Sequence, residues 1–267
     1  MNILILGDPH GIIPKKINSA KFTKFDAIIC TGDFVPDKKL RKIIFAAIRQ
    51  GKNWRTTIPK KKLNKILKSD YSDGMKVLSY LNSIGKPAYI IPGNWDLSEK
   101  TGDAFYKKKI KKMKNMVDCD EKIKSTRQYT IIGYGKTFGP ELYPDREITM
   151  RDKKSFSSLV KKYDKLFAIA KRKQKKIIFL VHNPPFNTKL DKINNKESPA
   201  NGKHFGSQLV RRMIEKHKPA ICICGHMHEN RGTIKLGRTI CLNTGCLHEK
   251  GFFLLNERGK IEKLRAN

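Results

Sequence analysis

The chain has no long apolar run and no obvious internal boundary. No stretch of its 267 residues is long and apolar enough to span a bilayer, and the apolar residues 1–7 are too few for a signal peptide. No Gly/Ser/Pro-rich linker, internal repeat or low-complexity tail divides the sequence. These absences exclude helical membrane-spanning and repeat proteins. We therefore expect a soluble, cytoplasmic protein with a single domain over residues 1–267.

Cysteines are few and do not form a recognisable framework. The six cysteines make no CxxC pair, and most of them fall inside apolar, strand-like runs. This pattern favours small buried thiols in a reducing compartment over disulfides or a thiolate metal site.

Acidic residues are scarce relative to basic ones. The chain has 24 Asp and Glu against 57 Lys and Arg, which gives a formal net charge of +33. Such a field favours anionic partners, including phosphate esters, nucleic acid and anionic lipid surfaces. A general lysine bias that maintains solubility is the alternative explanation. A bias of that kind often raises glutamate as well, and glutamate is scarce here, so a role in nucleic-acid binding stays open.

Apolar runs and helical periodicity alternate along the first half of the chain. The predicted buried strands are Ile3–Leu6, Ala27–Thr31, Ala88–Ile91, Tyr129–Gly133, Ile177–Val181, Ala220–Cys224, Thr239–Asn243 and Phe252–Leu255. The predicted helices are Lys39–Arg49, Lys61–Lys68, Gly74–Ile84, Lys154–Arg172 and Ser207–Lys216. Paired strands dominate after Ile221. This order predicts an α/β sandwich built on mixed sheets.

Two lysine-rich stretches interrupt the alternation. Residues 36–73 form a long connection with two helical segments, and residues 99–124 directly follow a Gly-Asn-Trp-Asp sequence. We interpret both as basic insertions. Because each leaves from a loop that carries candidate metal ligands, each is placed to cover the same site.

Potential metal ligands follow the predicted strands, at the point where each apolar run ends. These residues are Asp8, His10, Asp33, Asn94, His182, His226 and His228. The carboxyl ends of neighbouring strands meet at one edge of an α/β sheet, so residues far apart in sequence converge there. Carboxylate, carboxamide and imidazole groups together form a mixed oxygen and nitrogen donor set. Each motif alone is weak, but the ordered set predicts a dinuclear metal site.

The ordered motifs resemble those of the calcineurin-like metallophosphoesterase superfamily, whose pattern is DxH, GD, GNH(D/E), H and GHxH. The sequences HNPPF, GKHFGS and GHMHE are similar to the small prokaryotic branch of that superfamily. The resemblance implies a four-layer α-β-β-α sandwich of two mixed sheets flanked by helices. It also implies two metal positions that share Asp33. Asp8, His10, Asp33 and His228 would hold one metal, and Asp33, Asn94, His182 and His226 the other.

The resemblance implies two divalent transition-metal ions, with Mn²⁺ as the first choice and Fe, Zn²⁺ or Ni²⁺ as alternatives. Nitrogen-rich ligation argues against Mg²⁺ or Ca²⁺ alone. Two cations about 3.5–4 Å apart lower the pKa of a bridging water and clamp phosphoryl oxygens. The implied reaction is attack of a metal-bridging hydroxide on a phosphate ester.

One position departs from the family pattern. Trp95 stands where the GNH(D/E) motif has the histidine that assists the leaving group, and tryptophan cannot transfer a proton at neutral pH. Either the acid is missing, or another residue supplies it, for which His204 is the candidate. Trp95 is interpreted as packing over the metal loop or as a stacking surface for substrate. Asp96 is interpreted as orienting a neighbouring ligand.

The predicted catalytic residues are therefore Asp33, Asn94, Asp96 and His204, and the predicted substrate contacts come from Asn94, Trp95 and His204. The expected activity is metal-dependent hydrolysis of phosphodiesters, with phosphomonoesters second, because the missing histidine is tolerated in diester-cleaving relatives. One alternative is a nuclease acting on DNA or RNA, with phosphate contacts from the basic insertions. Another is a metal-binding interaction scaffold with weak or no catalysis, against which the complete ligand set argues.

Overall fold

Two six-stranded mixed β-sheets form the centre of the computed structural model, which describes residues 1–18, 24–97, 103–135, 149–194, 200–247 and 252–264. The strands of the first sheet are β1 (Ile3–Leu6), β2 (Ala27–Cys30), β3 (Ala88–Ile90), β4 (Met116–Asp118), β11 (Phe252–Leu255) and β12 (Ile261–Leu264). Their spatial order is β12-β11-β1-β2-β3-β4. The four strands from β1 to β4 are parallel, whereas β11 and β12 are antiparallel to their neighbours.

The second sheet has the same size and a similar plan. Its strands are β5 (Ile123–Ser125), β6 (Tyr129–Tyr134), β7 (Lys176–Val181), β8 (Ile221–Cys224), β9 (Gly232–Leu236) and β10 (Thr239–Asn243). The spatial order is β5-β6-β7-β8-β10-β9. The central strands β6, β7, β8 and β10 are parallel, and the outer strands β5 and β9 are antiparallel.

Helices cover the outer faces of both sheets. The described residues contain α1 (Lys38–Arg49), α2 (Lys60–Ser83), α3 (Lys107–Ile110), α4 (Met150–Lys171) and α5 (Gln208–His217), with short 3-10 segments at Lys15–Asn18, Trp54–Thr56 and His228–Asn230. A capping box at the start of α4 joins Thr149 and Asp152. Such a box satisfies backbone N–H groups that the first helical turn leaves without partners.

Alternation along the strands divides the core into three layers. In β1, Ile3 and Ile5 face the second sheet, whereas Leu4 and Leu6 face α2. Successive strand residues point to opposite faces, so a strand covered on both sides is apolar throughout. Helices α4 and α5 cover the outer face of the second sheet in the same way. The predicted four-layer α-β-β-α sandwich is confirmed, and the inner faces of the two sheets share one apolar layer.

The eight predicted strands are all present, with ends within one residue of the prediction. The four strands that the prediction missed are β4, β5, β9 and β12, and these are the outer strands of the two sheets. Their residues are mostly half-buried or exposed. Because one face and one edge of such a strand meet solvent, its sequence lacks the apolar run that marks an internal strand.

The prediction of two helices at Lys61–Lys68 and Gly74–Ile84 is wrong, because a single helix, α2, runs through both. Gly74 lies inside it and is buried against the loop after β2. A Cβ atom at this position would lie 2.9 Å from Phe105 Cζ and 3.2 Å from Val35 Cγ2. Glycine here allows close approach of the helix rather than ending it.

The two basic stretches differ in how they join the fold. Residues 36–73 contain α1, the segment Trp54–Thr56 and the first half of α2. The described part of residues 99–124 contains α3, β4 and the start of β5, and so supplies an outer strand to each sheet. Across the described residues, no helix has both the length and the apolar character needed to cross a membrane.

Substituting Gly74 with Leu should lower the free energy of unfolding by about 1–3 kcal/mol, since the added side chain has no room against Phe105 and Val35. Urea denaturation followed by circular dichroism measures the change. The matched control is Ser72→Leu, which adds the same side chain to an exposed position of the same helix. Equal stability of the two variants would contradict the packing role of Gly74.

Candidate metal centre

The parallel strands of both sheets end at one edge of the sandwich, and the candidate ligands lie in the loops that follow. In the first sheet, Leu6 is paired with Cys30 and Cys30 with Ile90, so the three strands end level. Asp8, Asp33 and Asn94 come two to four residues later. From the second sheet, His182 directly follows β7, and His226 and His228 follow β8. The structure thus brings all seven predicted ligands to one place.

One group of ligand atoms surrounds the carboxylate of Asp8. His228 Nε2 lies 3.2 Å from Asp8 Oδ2 and 3.4 Å from His10 Nε2. His10 Nε2 in turn lies 3.8 Å from Asp33 Oδ2. Asp8, His10 and Asp33 meet as a group that could hold a metal ion, as do His10, His228 and Cys246.

A second group shares Asp33 with the first. His182 Nε2 lies 3.4 Å from Asp33 Oδ2, and Asn94 Oδ1 lies 3.0 Å from both His182 Nε2 and His226 Nδ1. Asp33, His182 and His226 also form a compact group of possible metal ligands. Asp33 therefore lies between the two groups of ligand atoms, the position expected for a carboxylate that bridges two metal ions.

The imidazole rings are oriented by backbone carbonyl groups. His182 Nδ1 lies 2.8 Å from the carbonyl oxygen of Thr31, and His10 Nδ1 lies 3.2 Å from that of Val35. In the neutral form, a ring that donates its Nδ1–H to a carbonyl keeps a lone pair on Nε2, and in both rings Nε2 faces the cluster. This arrangement fits metal ligation.

Three of the seven residues have an unusual backbone. His10, Asp33 and His226 have φ values of 46°, 52° and 66°. Left-handed φ values are uncommon for residues other than glycine and cost of order 1–3 kcal/mol each, so they concentrate at functional sites. In this protein they lie at the turns that direct side chains back over the strand ends.

Glycines allow the loops to approach the two carboxylates. A Cβ atom on Gly93 would lie 2.2 Å from Asp33 Oδ1, and one on Gly225 would lie 2.3 Å from Asp8 Oδ1. Any larger residue would displace a candidate bridging or terminal ligand. The Gly residues of the GNWD and GHMH sequences are thus explained by close approach.

Burial and mutual charge set the ionisation of the centre. Burial alone would raise the pKa of Asp8 and Asp33, but nearby imidazoles, with His182 foremost, lower both below their ordinary values. Burial opposes protonation of His182, yet Asp33 and Asp8 raise its pKa to about 9. Burial and His182 lower the pKa of His226 to about 3. The neighbouring imidazoles therefore favour the charged forms of both buried carboxylates, and a buried carboxylate is stable only when such partners accompany it.

Asp96 and Thr31 hold the ligands without belonging to either group. Asp96 Oδ1 accepts the backbone N–H groups of Phe34 and Val35, at 2.9 and 3.1 Å, and Oδ2 accepts that of Gly93 at 2.9 Å. Asp96 thus joins the loops of Asp33 and Asn94 through their backbones rather than through an imidazole. Thr31 Oγ1 donates to Asp8 Oδ1 at 2.7 Å, a contact that no sequence motif indicated.

Trp95 is half-buried beside the shared carboxylate. Its backbone N–H donates to Asp33 Oδ1 at 2.9 Å. The carboxamide of Asn94 can adopt two orientations. Its oxygen can face His182 and His226, or its NH₂ can donate to them while the oxygen accepts from Trp95 Nε1 at 3.2 Å. Trp95 therefore contacts the ligand loop directly.

His204 belongs to neither ligand group of the described residues. Its Nδ1 lies 2.8 Å from Oδ1 of Asp191, which is fully buried. Asp191 also accepts the backbone N–H groups of Asn187, Thr188 and Gly206. The carboxylate thus fixes both the loop and the ring orientation, a partnership that the sequence did not reveal because the two residues are 13 positions apart.

The six cysteines are free and buried, as predicted. Cys246 lies near His10 and His228, and its thiol contacts the carbonyl oxygen of Asp8 at 3.4 Å. A thiol that donates to a carbonyl is protonated, which favours a packing role over metal ligation.

Comparison with known proteins gives one family and a shared fold. A family model described as calcineurin-like phosphoesterase matches residues 1–230. An uncharacterised protein of Methanocaldococcus jannaschii, MJ1162, is 28% identical over 251 residues, which are 91% of this chain and 87% of that protein. One crystal structure covers 100% of this chain and 99% of its own, with a TM-score of 0.72 and 18% identity.

Two further solved structures share the fold at low sequence identity. TT1561 of Thermus thermophilus has a TM-score of 0.56 and 19% identity, over 99% of this chain and 98% of its own. A protein of Staphylococcus aureus described as a putative 5′-nucleotidase has a TM-score of 0.53 and 12% identity. That alignment covers 99% of this chain but 52% of the larger protein.

Asp96→Asn should weaken metal binding by about 10- to 100-fold, since one acceptor oxygen is replaced by an NH₂ group that faces backbone donors. Titration of the metal-free variant with Mn²⁺, followed by calorimetry, measures the affinity. Asp103→Asn, the same change at an exposed position, is the control. Unchanged Mn²⁺ affinity in the Asp96 variant would contradict its positioning role.

Proposed function

Because this chain belongs to the calcineurin-like phosphoesterase family, we propose that it is a metal-dependent hydrolase that prefers phosphodiesters to phosphomonoesters. The observation that carries the proposal is the pair of ligand groups that share Asp33. One protein of the same fold is described as a putative 5′-nucleotidase, and this description supports phosphate esters as the substrate class. The preference for diesters rests on Trp95 in place of the motif histidine, because diester-cleaving relatives tolerate the loss of that histidine.

We assign Asp8, His10, Asp33 and His228 to one metal ion and Asp33, Asn94, His182 and His226 to the other. Imidazole nitrogens, carboxylate oxygens and a carboxamide oxygen suit divalent transition metals, with Mn²⁺ as the first candidate. When bound, such a pair supplies a hydroxide nucleophile at neutral pH and neutralises charge on the phosphoryl oxygens.

The protein itself keeps the donors in place before substrate arrives. Asp8 and Asp33 are almost completely buried, so their orientation depends on the hydrogen bonds from Thr31 and from the backbone of Trp95 and His226. Because these contacts exist without rearrangement, little reorganisation energy is needed during the reaction.

His204 is our candidate for the proton that the leaving group requires. Asp191 Oδ1 accepts a hydrogen bond from Nδ1 of His204, which leaves Nε2 as the nitrogen for proton transfer. The His204 side chain is one quarter exposed. The same carboxylate–imidazole arrangement orients the general base of serine hydrolases. The loop that carries His204 is attached to the metal loop, because Ser207 N donates to Pro184 O at 2.8 Å.

Two other functions are compatible with the sequence. Nucleic acid remains a candidate substrate, and the position of lysines near the centre favours it, as argued below. A scaffold without catalysis is less favoured, since both ligand groups are assembled and the carboxylates remain charged.

The metal-loaded protein should hydrolyse bis-p-nitrophenyl phosphate with a higher kcat/KM than p-nitrophenyl phosphate. Asp33→Ala should lower the rate by about 100-fold or more and remove bound metal, because it deletes the shared ligand. Metal analysis alongside the kinetics connects the two effects. Asp26→Ala, at an exposed position, serves as the control. A wild-type protein with two bound ions per chain and no activity on either ester would contradict the proposal.

His204→Ala should spare p-nitrophenyl esters, whose leaving group departs without a proton, and slow diesters with alkyl leaving groups by about 100-fold. A plot of log kcat against leaving-group pKa should therefore become steeper. His217→Ala, which removes a histidine at the end of α5, is the control. An unaltered slope in the His204 variant would remove His204 from the mechanism.

A further inference from the structure

An open cleft of about 800 Å³ lies on α3 and the outer strands β4 and β5, and none of the seven metal ligands lines it. Five of its twelve lining residues are lysines: Lys107, Lys108, Lys111, Lys122 and Lys124. Lys and Arg together make up only 57 of the 267 residues of the chain. The cleft is therefore enriched in positive charge beyond the high average of the protein.

Local structure directs these lysines to one place. Lys108 and Lys111 are three residues apart at helix α3 and share a face of it. Lys122 and Lys124 are two residues apart at the start of β5, so their side chains lie on the same side of the strand. Both elements line the cleft. Their lysine spacing therefore concentrates charge within it.

Carboxylates in the cleft compensate only part of this charge. Asp103 pairs with Lys107 at 3.3 Å, and Asp118 pairs with Lys122. Lys108, Lys111 and Lys124 make no ion pair with any residue that the structure describes. Three positive charges thus remain close together, and an anion that enters the cleft relieves their repulsion.

The floor of the cleft is apolar. Ala104, Ile110 and Met116 are buried there, while Phe105 and Val117 are half-buried. The ring of Phe105 stacks on Tyr71, with centroids 4.9 Å apart and planes inclined by 5°. A surface that combines unpaired lysines with exposed parts of apolar and aromatic side chains suits a ligand with both phosphates and bases.

The cleft begins at the edge of the sheet that carries the metal centre. Strand β4 is parallel to β3, and Asp118 is paired with Ile90, four residues before the metal ligand Asn94. Neighbouring strands are about 4.8 Å apart. The cleft therefore lies beside the strand next to β3, whose following loop carries Asn94.

We propose that this cleft binds the phosphate backbone of a single-stranded nucleic acid. The bases of a single strand are free to contact the half-buried Phe105 and Val117 of the cleft, whereas those of a duplex are stacked and paired inside the helix. The further inference that the bound strand is the substrate of the metal centre rests on the proposed function.

The test compares two triple variants with the same change in charge. One replaces Lys108, Lys111 and Lys124 with Glu in the cleft. The control replaces Lys235, Lys260 and Lys263 with Glu, on or next to the outer strands β9 and β12 at the opposite edges of the sheets. Fluorescence anisotropy of a labelled oligothymidylate of about 12 nucleotides measures affinity as a function of salt.

The cleft variant should lose affinity by about tenfold or more. Its slope of log K against log salt should fall by roughly 2, because three phosphate contacts are lost. The control should lose about twofold. Replacing the same cleft lysines with Gln should give an intermediate loss, and this version guards against misfolding caused by the reversed charges. Equal losses in the cleft and control variants, or no loss in either, would overturn the proposal.

Two further measurements separate the binding site from the activity. Inorganic tripolyphosphate that displaces the oligonucleotide at equal phosphate concentration would overturn the assignment to nucleic acid. Hydrolysis of bis-p-nitrophenyl phosphate should be unchanged in the cleft variant, while oligonucleotide cleavage falls. If the wild type binds through the cleft but hydrolyses neither substrate, the proposed function fails and the binding site stands.

Discussion

Two buried carboxylates, whose charged forms the neighbouring imidazoles favour, are the constraint around which this protein is organised. Asp8 and Asp33 lie at adjacent strand ends with almost no access to solvent, and the surrounding imidazoles keep them ionised. Burying two like charges together is costly unless cations accompany them. The neighbouring imidazoles meet this need in part, and the oxygen and nitrogen donors around both carboxylates could also hold metal ions.

The fold provides the rigidity that such a site needs. Parallel strands of two sheets end at one edge, and the loops beyond them are joined by hydrogen bonds that Asp96 accepts from backbone N–H groups and that Thr31 donates to Asp8. Gly93 and Gly225 allow the backbone to approach the carboxylates of Asp33 and Asp8. The left-handed residues among the ligands direct their side chains toward the centre. Packing of the three apolar layers beneath the loops holds these residues in their left-handed conformations.

Beyond the ligands, two features of this chain bear on its proposed activity. Trp95 cannot donate a proton to a leaving group, and the His204 ring, held by Asp191, is the proposed source of that proton. The second feature is the lysine cleft beside β4, where part of the net charge of +33 is concentrated. Both features concern what the substrate is and how its leaving group departs, rather than how metal is held.

The sequence by itself determined the internal strands, the two-sheet architecture and the identity of the seven candidate ligands, because buried strands are apolar throughout and metal chemistry needs particular side chains at their ends. Only the tertiary structure decided the outer strands, the continuity of α2 through Gly74, the backbone contacts of Asp96, and the partners Thr31 and Asp191. Those features depend on contacts between residues distant in sequence, where one close approach or one backbone N–H group outweighs local propensity.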